Sequence, residues 1–206
     1  RCGVMRISAG ETLLVATGNR GKLAEISALL QPFGVSVVSL TDLRLSEPAE
    51  TEFTFAGNAL LKARAGAAAS GLVTLADDSG LEVQALGGAP GIYTADWAEG
   101  ATGRDFGRAM EKTWGLLQAV QATAPRRAAF CCTLALVRPD GAEQVFAGRV
   151  EGQIVWPMRG AQGHGYDPIF MPDGYLETFG EMDEAVKNKI SHRADAFAKL
   201  IEECFT

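Results

Sequence analysis

Asp77 and Asp78 stand side by side in Asp77-Asp78-Ser79-Gly80, directly after the apolar run Leu72–Ala76. Adjacent carboxylates at a strand end point to opposite sides, so one member can hold a hard cation or orient a water. Buried together they repel, which calls for a compensating metal or lysine. The same residues also suit a plain turn, since Asp, Ser and Gly all stabilise one. A second acidic stretch, Glu47-Pro48-Ala49-Glu50-Thr51-Glu52, either adds a ligand or is a solvated loop.

Thr17-Gly18-Asn19-Arg20-Gly21-Lys22 lies between a buried strand and a helix start. Glycines let backbone amides approach an anion, the helix N-terminus adds unsatisfied N–H groups, and Lys22 adds a full charge. That is triphosphate-binding chemistry, but not a P-loop, which needs glycine at Ala16 and Ser or Thr at Leu23. A tight strand-to-helix turn with an exposed lysine is the other reading.

The chain has two histidines, and both fall in compact polar motifs. Gly163-His164-Gly165-Tyr166-Asp167-Pro168 offers flat rings, a flexible backbone and one carboxylate, a combination suited to holding a planar base. Lys187-Asn188-Lys189-Ile190-Ser191-His192-Arg193 brings cations and donors to a helix start. Ser191 is equally suited to N-capping that helix with His192 and Arg193 in solvent.

The elements that must position these groups alternate between strand and helix. Leu13–Ala16 reads as a buried strand. Leu23, Ile26, Leu29 and Leu30 share a helical face that Pro32-Phe33-Gly34 ends. Val35–Leu40 reads as a strand, Thr54–Ser70 as a helix with Gly71 at its C-cap, and Leu72–Ala76 as a strand ending at the paired aspartates. A helix over about Arg104–Gln121 precedes two β-rich stretches, Ala128–Val137 and Gln144–Val155. The Pro139-Asp140-Gly141 turn makes them an antiparallel hairpin. A glycine-rich loop, Gly160–Asp167, leads into a short strand, and a last helix covers Ser191–Cys204 with Ala194, Phe197, Leu200 and Ile201 on one face. The pattern predicts an α/β fold with a mixed sheet, and ligands of such folds sit beyond the carboxyl ends of strands.

At 206 residues, 47% hydrophobic and 21% charged, the chain is long enough to bury a core as one domain of two lobes. A net charge of −6 without long Lys/Arg runs argues against nucleic acid or anionic membrane as a partner. No apolar run reaches the roughly 20 residues of a membrane span. Residues 1–11 lack the apolar core of a secretory signal and read as an unstructured lead-in to about residue 10, so a cytoplasmic protein is expected. Of the four cysteines, Cys2, Cys131, Cys132 and Cys204, the neighbouring pair reads as reduced strand residues rather than a metal or redox site.

Taken as a set, Thr17-Gly18-Asn19…Lys22, Thr54-Phe55…Asn58-Ala59…Lys62-Ala63, Asp77-Asp78-Ser79-Gly80-Leu81, Leu86-Gly87-Gly88-Ala89-Pro90-Gly91-Ile92-Tyr93, Gly165-Tyr166-Asp167-Pro168-Ile169-Phe170 and Lys187…Ile190-Ser191-His192-Arg193 resemble the inosine triphosphate pyrophosphatase family in order and spacing, from about Leu13 to Leu200. The resemblance implies a long central mixed sheet flanked by helices, two lobes with a substrate cleft between them, and a homodimer. It implies magnesium-dependent cleavage of ITP, dITP and XTP to the monophosphate and pyrophosphate, which cleanses the nucleotide pool. Thr17, Gly18, Asn19, Arg20, Gly21 and Lys22 would hold the triphosphate. Asp78 would be general base and metal ligand, with Asp77 beside it and Ser79 touching the substrate. Gly165, Tyr166 and Asp167 would line the base pocket, and Lys187, His192 and Arg193 would complete recognition.

Two positions depart from the family pattern. His164 stands where the family usually has the Phe that packs on the purine; imidazole also stacks, but it is less apolar and titrates near neutral pH. Ala49 stands at the family's glutamate metal ligand in an ungapped reading, leaving Glu50 or Glu47 to supply it. A nucleotide-binding sensor without catalysis and a pyrophosphatase acting on modified pyrimidines are the rival readings.

Overall fold

The computed structural model describes residues 5–205. Leu13, Leu14 and Val15 build β1 (Thr12–Val15), and all three are buried. Their run is continuous rather than alternating because β1 has a parallel neighbour on each side, β2 (Ser36–Ser39) and β3 (Val73–Val83); central parallel strands are covered on both faces. Between β1 and β2 lies α1 (Arg20–Leu30), which buries Ile26 and Leu30. Leu29, expected on that face, is exposed. A 3-10 turn at Gln31–Phe33 follows, and Gly34 in the left-handed region (φ 67°) ends it.

The crossover from β2 to β3 is α2 (Phe55–Ser70), N-capped by Thr54, whose hydroxyl accepts the Gly57 N–H at 3.0 Å. Its buried residues form two rows, Ala59, Ala63 and Ala67 beside Asn58, Lys62 and Gly66. Gly66 is needed there, since a Cβ would lie 2.8 Å from Thr74 Cγ2. β3 does not end at the paired aspartates as expected. It runs on through Asp77-Asp78-Ser79-Gly80 to Val83, because it outlasts its β1 pairing, which stops at Val15–Leu75, with β4 on its other side. The turn reading of those residues is therefore excluded.

After α3 (Phe106–Ala119) come β4 (Arg126–Val137) and β5 (Glu143–Ile154), joined by a turn in which the Arg138 N–H donates to the Ala142 carbonyl at 2.8 Å. β6 (Phe170–Pro172) pairs antiparallel with β5, and the mixed sheet has the order β2-β1-β3-β4-β5-β6. The fold is α/β, as expected. The last helix, α5 (His192–Cys204), lies where expected, and α4 (Glu184–Ile190), not anticipated, precedes it. α5 buries Ala196, Phe197, Leu200 and Cys204 rather than Ala194 and Ile201.

Two compact units divide the chain. The first takes the chain up to Asp78, Thr133–Ala147 and the residues from Ala196 onward. Its core joins Leu14, Ala16 and Leu40 to the alanine row of α2 and to Ala76, Ala135 and Val137. The second takes Ser79–Cys132 and Gly148–Asp195, around Leu81, Phe130, Tyr166, Phe170 and Phe179. Of the lead-in, residues 1–4 lie outside the described residues. From Met5 it is packed rather than unstructured: Met5 and Ile7 are buried, and the Ile7 N–H donates to the Cys204 carbonyl.

Cys131 and Cys132 are buried, reduced residues of β4, as read from the sequence, and burial pushes the Cys131 thiol up to about 12. Cys2 lies outside the described residues. Among the described residues no helix is long and apolar enough to cross a membrane.

Candidate functional site

The strand order places β1 between β2 and β3, so the connections leaving β1 and β3 diverge, the position where open α/β sheets bind ligands. At the carboxyl end of β1 the chain enters Thr17–Lys22, and on β3 just past the last β1 pairing stand Asp77 and Asp78. Topology alone therefore brings the phosphate-loop candidates to the acidic pair. The contact is direct: Lys22 Nζ lies 2.6 Å from Asp77 Oδ2.

The loop is a tightly built cap. Thr17, itself buried, accepts the Asn19 N–H on its hydroxyl at 3.1 Å. Asn19 N-caps α1, its Oδ1 accepting from Gly21 and Lys22 at 2.9 and 3.1 Å. The Gly18 N–H donates to Glu47 Oε2 at 3.0 Å. The turn is thus self-satisfied, as the plain turn reading has it, and the Gly18 amide already meets a carboxylate oxygen. Arg20 is exposed at the first residue of the helix.

Asp77 and Asp78 are 3% and 7% exposed. Burial first, then the charge of Glu50, pushes the Asp78 carboxyl up to about 6, while Lys62 and the Asn58 amide pull the other way. Lys62, in the buried polar row of α2, lies 2.5 Å from Glu50 Oε1 and 3.7 Å from Glu47 Oε1. Burial opposes its charge, but Asp77, Glu50 and Asp78 outweigh it and hold the ammonium above its ordinary range. Asn58 Nδ2 donates to Asp78 Oδ2 at 3.1 Å.

Asn58 and Lys62 were given no role of their own by the sequence. The available signal was two polar residues four apart on an alanine-rich helix, which share a face. Among the described residues no three carboxylates converge closely enough to enclose a metal, so Asp77, Asp78 and Glu50 are not a ready-made ligand set. Two of the three are matched with lysines instead. The chemistry nonetheless fits a hard divalent cation: every candidate donor is oxygen, and Glu47, Glu50, Asp77 and Asp78 together outnumber Lys22 and Lys62 by two charges.

The second group lies in the other unit. Gly163 and Gly165 both adopt positive φ, 70° and 68°. A Cβ on Gly163 would fall 2.1 Å from Asp167 Oδ2, so this glycine is required twice over. Asp167, 3% exposed, accepts the His164 N–H at 2.9 Å and holds the Lys187 ammonium, which also lies 5.3 Å from the Phe179 ring centroid. Asp167 is thus the hub that ties the glycine loop to α4.

His164 is exposed. Tyr166 is not placed as expected of a pocket-lining ring: it is 1% exposed, packs edge-on to Phe106, and donates its hydroxyl to the Thr94 carbonyl at 2.9 Å. Ser79, on β3, is half-buried. Ser191 does N-cap α5, accepting the Ala194 N–H at 3.2 Å. His192 is not in solvent; it is 8% exposed and stacks on Phe130 at 5.0 Å and 17°. Arg193 is half-buried at the same helix start.

Comparison with known proteins agrees with this architecture. The model of the Ham1 family matches residues 13–203. The chain is 57% identical over 196 residues to a dITP/XTP pyrophosphatase of Ruegeria pomeroyi, covering 95% of this chain and 96% of the relative. It is 52% identical over 197 residues to one of Rhodospirillum centenum, covering 96% of each. Among solved structures it resembles a HAM1 protein from Coxiella burnetii (TM-score 0.87, 35% identity, 92% of this chain and 96% of that one). It also resembles a nucleoside-triphosphatase / dITP/XTP pyrophosphatase from Mycobacterium abscessus (TM-score 0.79, 42% identity, 92% and 98%). With a family model spanning nearly all of it and relatives above half identical along their length, the chain belongs to the Ham1 family.

Proposed function

We propose that this protein hydrolyses non-canonical purine nucleoside triphosphates (dITP, ITP and XTP) to the monophosphate and pyrophosphate. The observation that carries the reading is the buried Asp78, its carboxyl raised to about 6 beside the Lys22–Asp77 pair at the mouth of the phosphate loop. A base with that affinity for a proton works near neutral pH. Relatives above half identical, each a dITP/XTP pyrophosphatase, support the substrate class.

Asp78 orients a water and takes its proton as the oxygen attacks the α-phosphorus. The bond from that phosphorus to the bridging oxygen breaks, and its electron pair leaves with pyrophosphate. Lys22 and the amides of Thr17–Gly21 neutralise the charge that collects there, with Lys22 exchanging Asp77 for phosphate oxygen. A divalent cation, magnesium in this reading, would be held by Asp78 and Asp77 with Glu50 or Glu47, and supplies further neutralisation of phosphate charge.

Ser79, His164, Gly165, Asp167, Lys187, His192 and Arg193 serve the base and sugar end. A 6-keto purine offers an acceptor to donors such as Arg193. Adenine offers a donor there and leaves such a group unpaired, at a cost of about 1–3 kcal/mol. We place the enzyme in the cytoplasm as a homodimer acting on free nucleotides. Pyrophosphate release from ITP, dITP, XTP, ATP, GTP and UTP, with and without magnesium, tests the reading. Metal-dependent release confined to the first three supports it, and folded protein that releases none overturns it.

A further inference from the structure

Asn58 sits in the first turn of α2 and is 2% exposed. Its amide is used from both ends: Nδ2 donates to Asp78 Oδ2 at 3.1 Å, and Oδ1 accepts the Glu52 N–H at 3.0 Å. The orientation of the amide is forced, since an ionised carboxylate only accepts and an N–H only donates. An aspartate in its place would have no donor for Asp78, and an alanine would meet neither partner. Four residues on, the same helix face carries Lys62, which draws in Glu50 and Glu47.

We infer that Asn58 is a positioning residue for the hydrolysis: it sets the orientation of the Asp78 carboxylate and, through the Glu52 backbone, the register of the acidic segment carrying Glu47 and Glu50. The inference rests on Asp78 acting as the base. A carboxylate on a strand can rotate about two side-chain bonds, and a water must meet it within hydrogen-bond reach while in line with phosphorus. A displacement of about 1 Å at such a group lowers turnover by as much as 10²-fold. The hydrogen bonds of Asn58 go to Asp78 and to the Glu52 backbone, and it reaches the Gly18 amide only indirectly, through the segment that carries Glu47, so the main effect belongs in kcat.

The test is steady-state kinetics on ITP with Asn58→Ala and Asn58→Asp, each measured alone and Asn58→Ala also with Asp78→Asn, with melting temperatures for all. The expected result is a kcat lowered at least tenfold, KM for ITP within threefold of wild type, and no further loss from Asn58→Ala once Asp78→Asn is present. The exchanged pair, Asn58→Asp with Asp78→Asn, restores the bridge with its polarity reversed. Its melting temperature returns to that of wild type while kcat stays at the level of Asp78→Asn.

A wild-type kcat in Asn58→Ala, a loss confined to KM, or losses that multiply in the double variant would each overturn the inference. If Asn58→Ala does not fold, Asn58→Ser, which keeps a short polar group but reaches only one partner, is read by the same criteria. Full turnover by Asp78→Asn removes the base itself and the proposed mechanism with it. An inactive Asp78→Asn beside fully active Asn58 variants removes only the positioning role.

Discussion

Glu47 Oε2 accepts the Gly18 N–H at 3.0 Å, so a carboxylate of the protein's own already occupies an amide of the loop proposed to hold phosphate. The same glutamate lies 3.7 Å from Lys62, and Lys22 is drawn onto Asp77. Cations and amides that suit a triphosphate are thus matched internally, and an entering anion must displace these partners.

That exchange is measurable without catalysis. Glu47→Gln weakens the anion on the Gly18 amide while keeping its shape. Metal-free calorimetry with pyrophosphate should show binding tighter by about threefold to tenfold, ~0.6–1.4 kcal/mol. The half-exposed position of Glu47 keeps the figure below that of a buried charged hydrogen bond. Unchanged affinity would show that Glu47 does not compete for the loop.

With Asp78 as the proposed base, its raised carboxyl sets the expected acid limb of the rate profile. Asp78 must be ionised to accept a proton, so kcat/KM should be level above about 6 and fall tenfold per pH unit below it. The limb should vanish, together with nearly all turnover, in Asp78→Asn. A limb near pH 4, the range of an ordinary aspartate, would remove the burial effect from the mechanism.

The same shift carries a cost in stability. The folded chain holds the Asp78 proton more tightly than the unfolded chain, so this group's contribution declines as pH rises from 3.8 through about 6. Above that window the deficit is complete, on the order of 1–3 kcal/mol. Asp78→Asn should therefore melt higher than wild type at pH 7.5 in chelator, by about 2–4 °C per kcal/mol, and should lose that advantage near pH 4. A lower melting temperature at pH 7.5 would mean that the hydrogen bond from Asn58 outweighs the desolvation.

Much of this site was legible in the chain because its determinants are local. Ser191 as N-cap, Gly71 as C-cap and the Pro139–Gly141 turn each act within a few residues, and the structure has them in those roles. What escaped depends on pairing across long separations. Asp77–Gly80 has the composition of a turn, but a neighbouring strand keeps it extended. Tyr166 follows a glycine loop suited to ligand contact, yet Phe106 and the Thr94 carbonyl draw it into the core. Asn58 and Lys62 look like ordinary helix residues until the 47–52 segment folds over them.

Gly163 tests the hub at Asp167. Gly163→Ala places a methyl 2.1 Å from Asp167 Oδ2 in a backbone conformation, φ 70°, that already disfavours a side chain. The aspartate must move, and with it the His164 amide and Lys187. Strain of about 1–2 kcal/mol and a charged hydrogen bond worth ~1.5–3 kcal/mol bear on ligand recognition here rather than on Asp78. KM for ITP should rise by roughly tenfold or more with kcat within threefold. A fall in kcat at unchanged KM would tie this loop to the chemical step instead.

Tyr166→Phe separates a core tyrosine from a base-reading one. The hydroxyl meets the Thr94 carbonyl, and the Thr94 hydroxyl in turn accepts the Leu81 N–H at 2.9 Å and donates to the Gly91 carbonyl. Removing the phenol oxygen leaves the Thr94 carbonyl without this donor in a half-buried segment, at a cost of about 1–2 kcal/mol in stability. The ring keeps its edge contact with Phe106, so the glycine loop keeps its course. The variant should melt lower by a few degrees, yet its ratio of kcat/KM for ITP over ATP should stay within twofold of wild type. A change in that ratio of tenfold, about 1.4 kcal/mol, would mean that the hydroxyl takes part in reading the base.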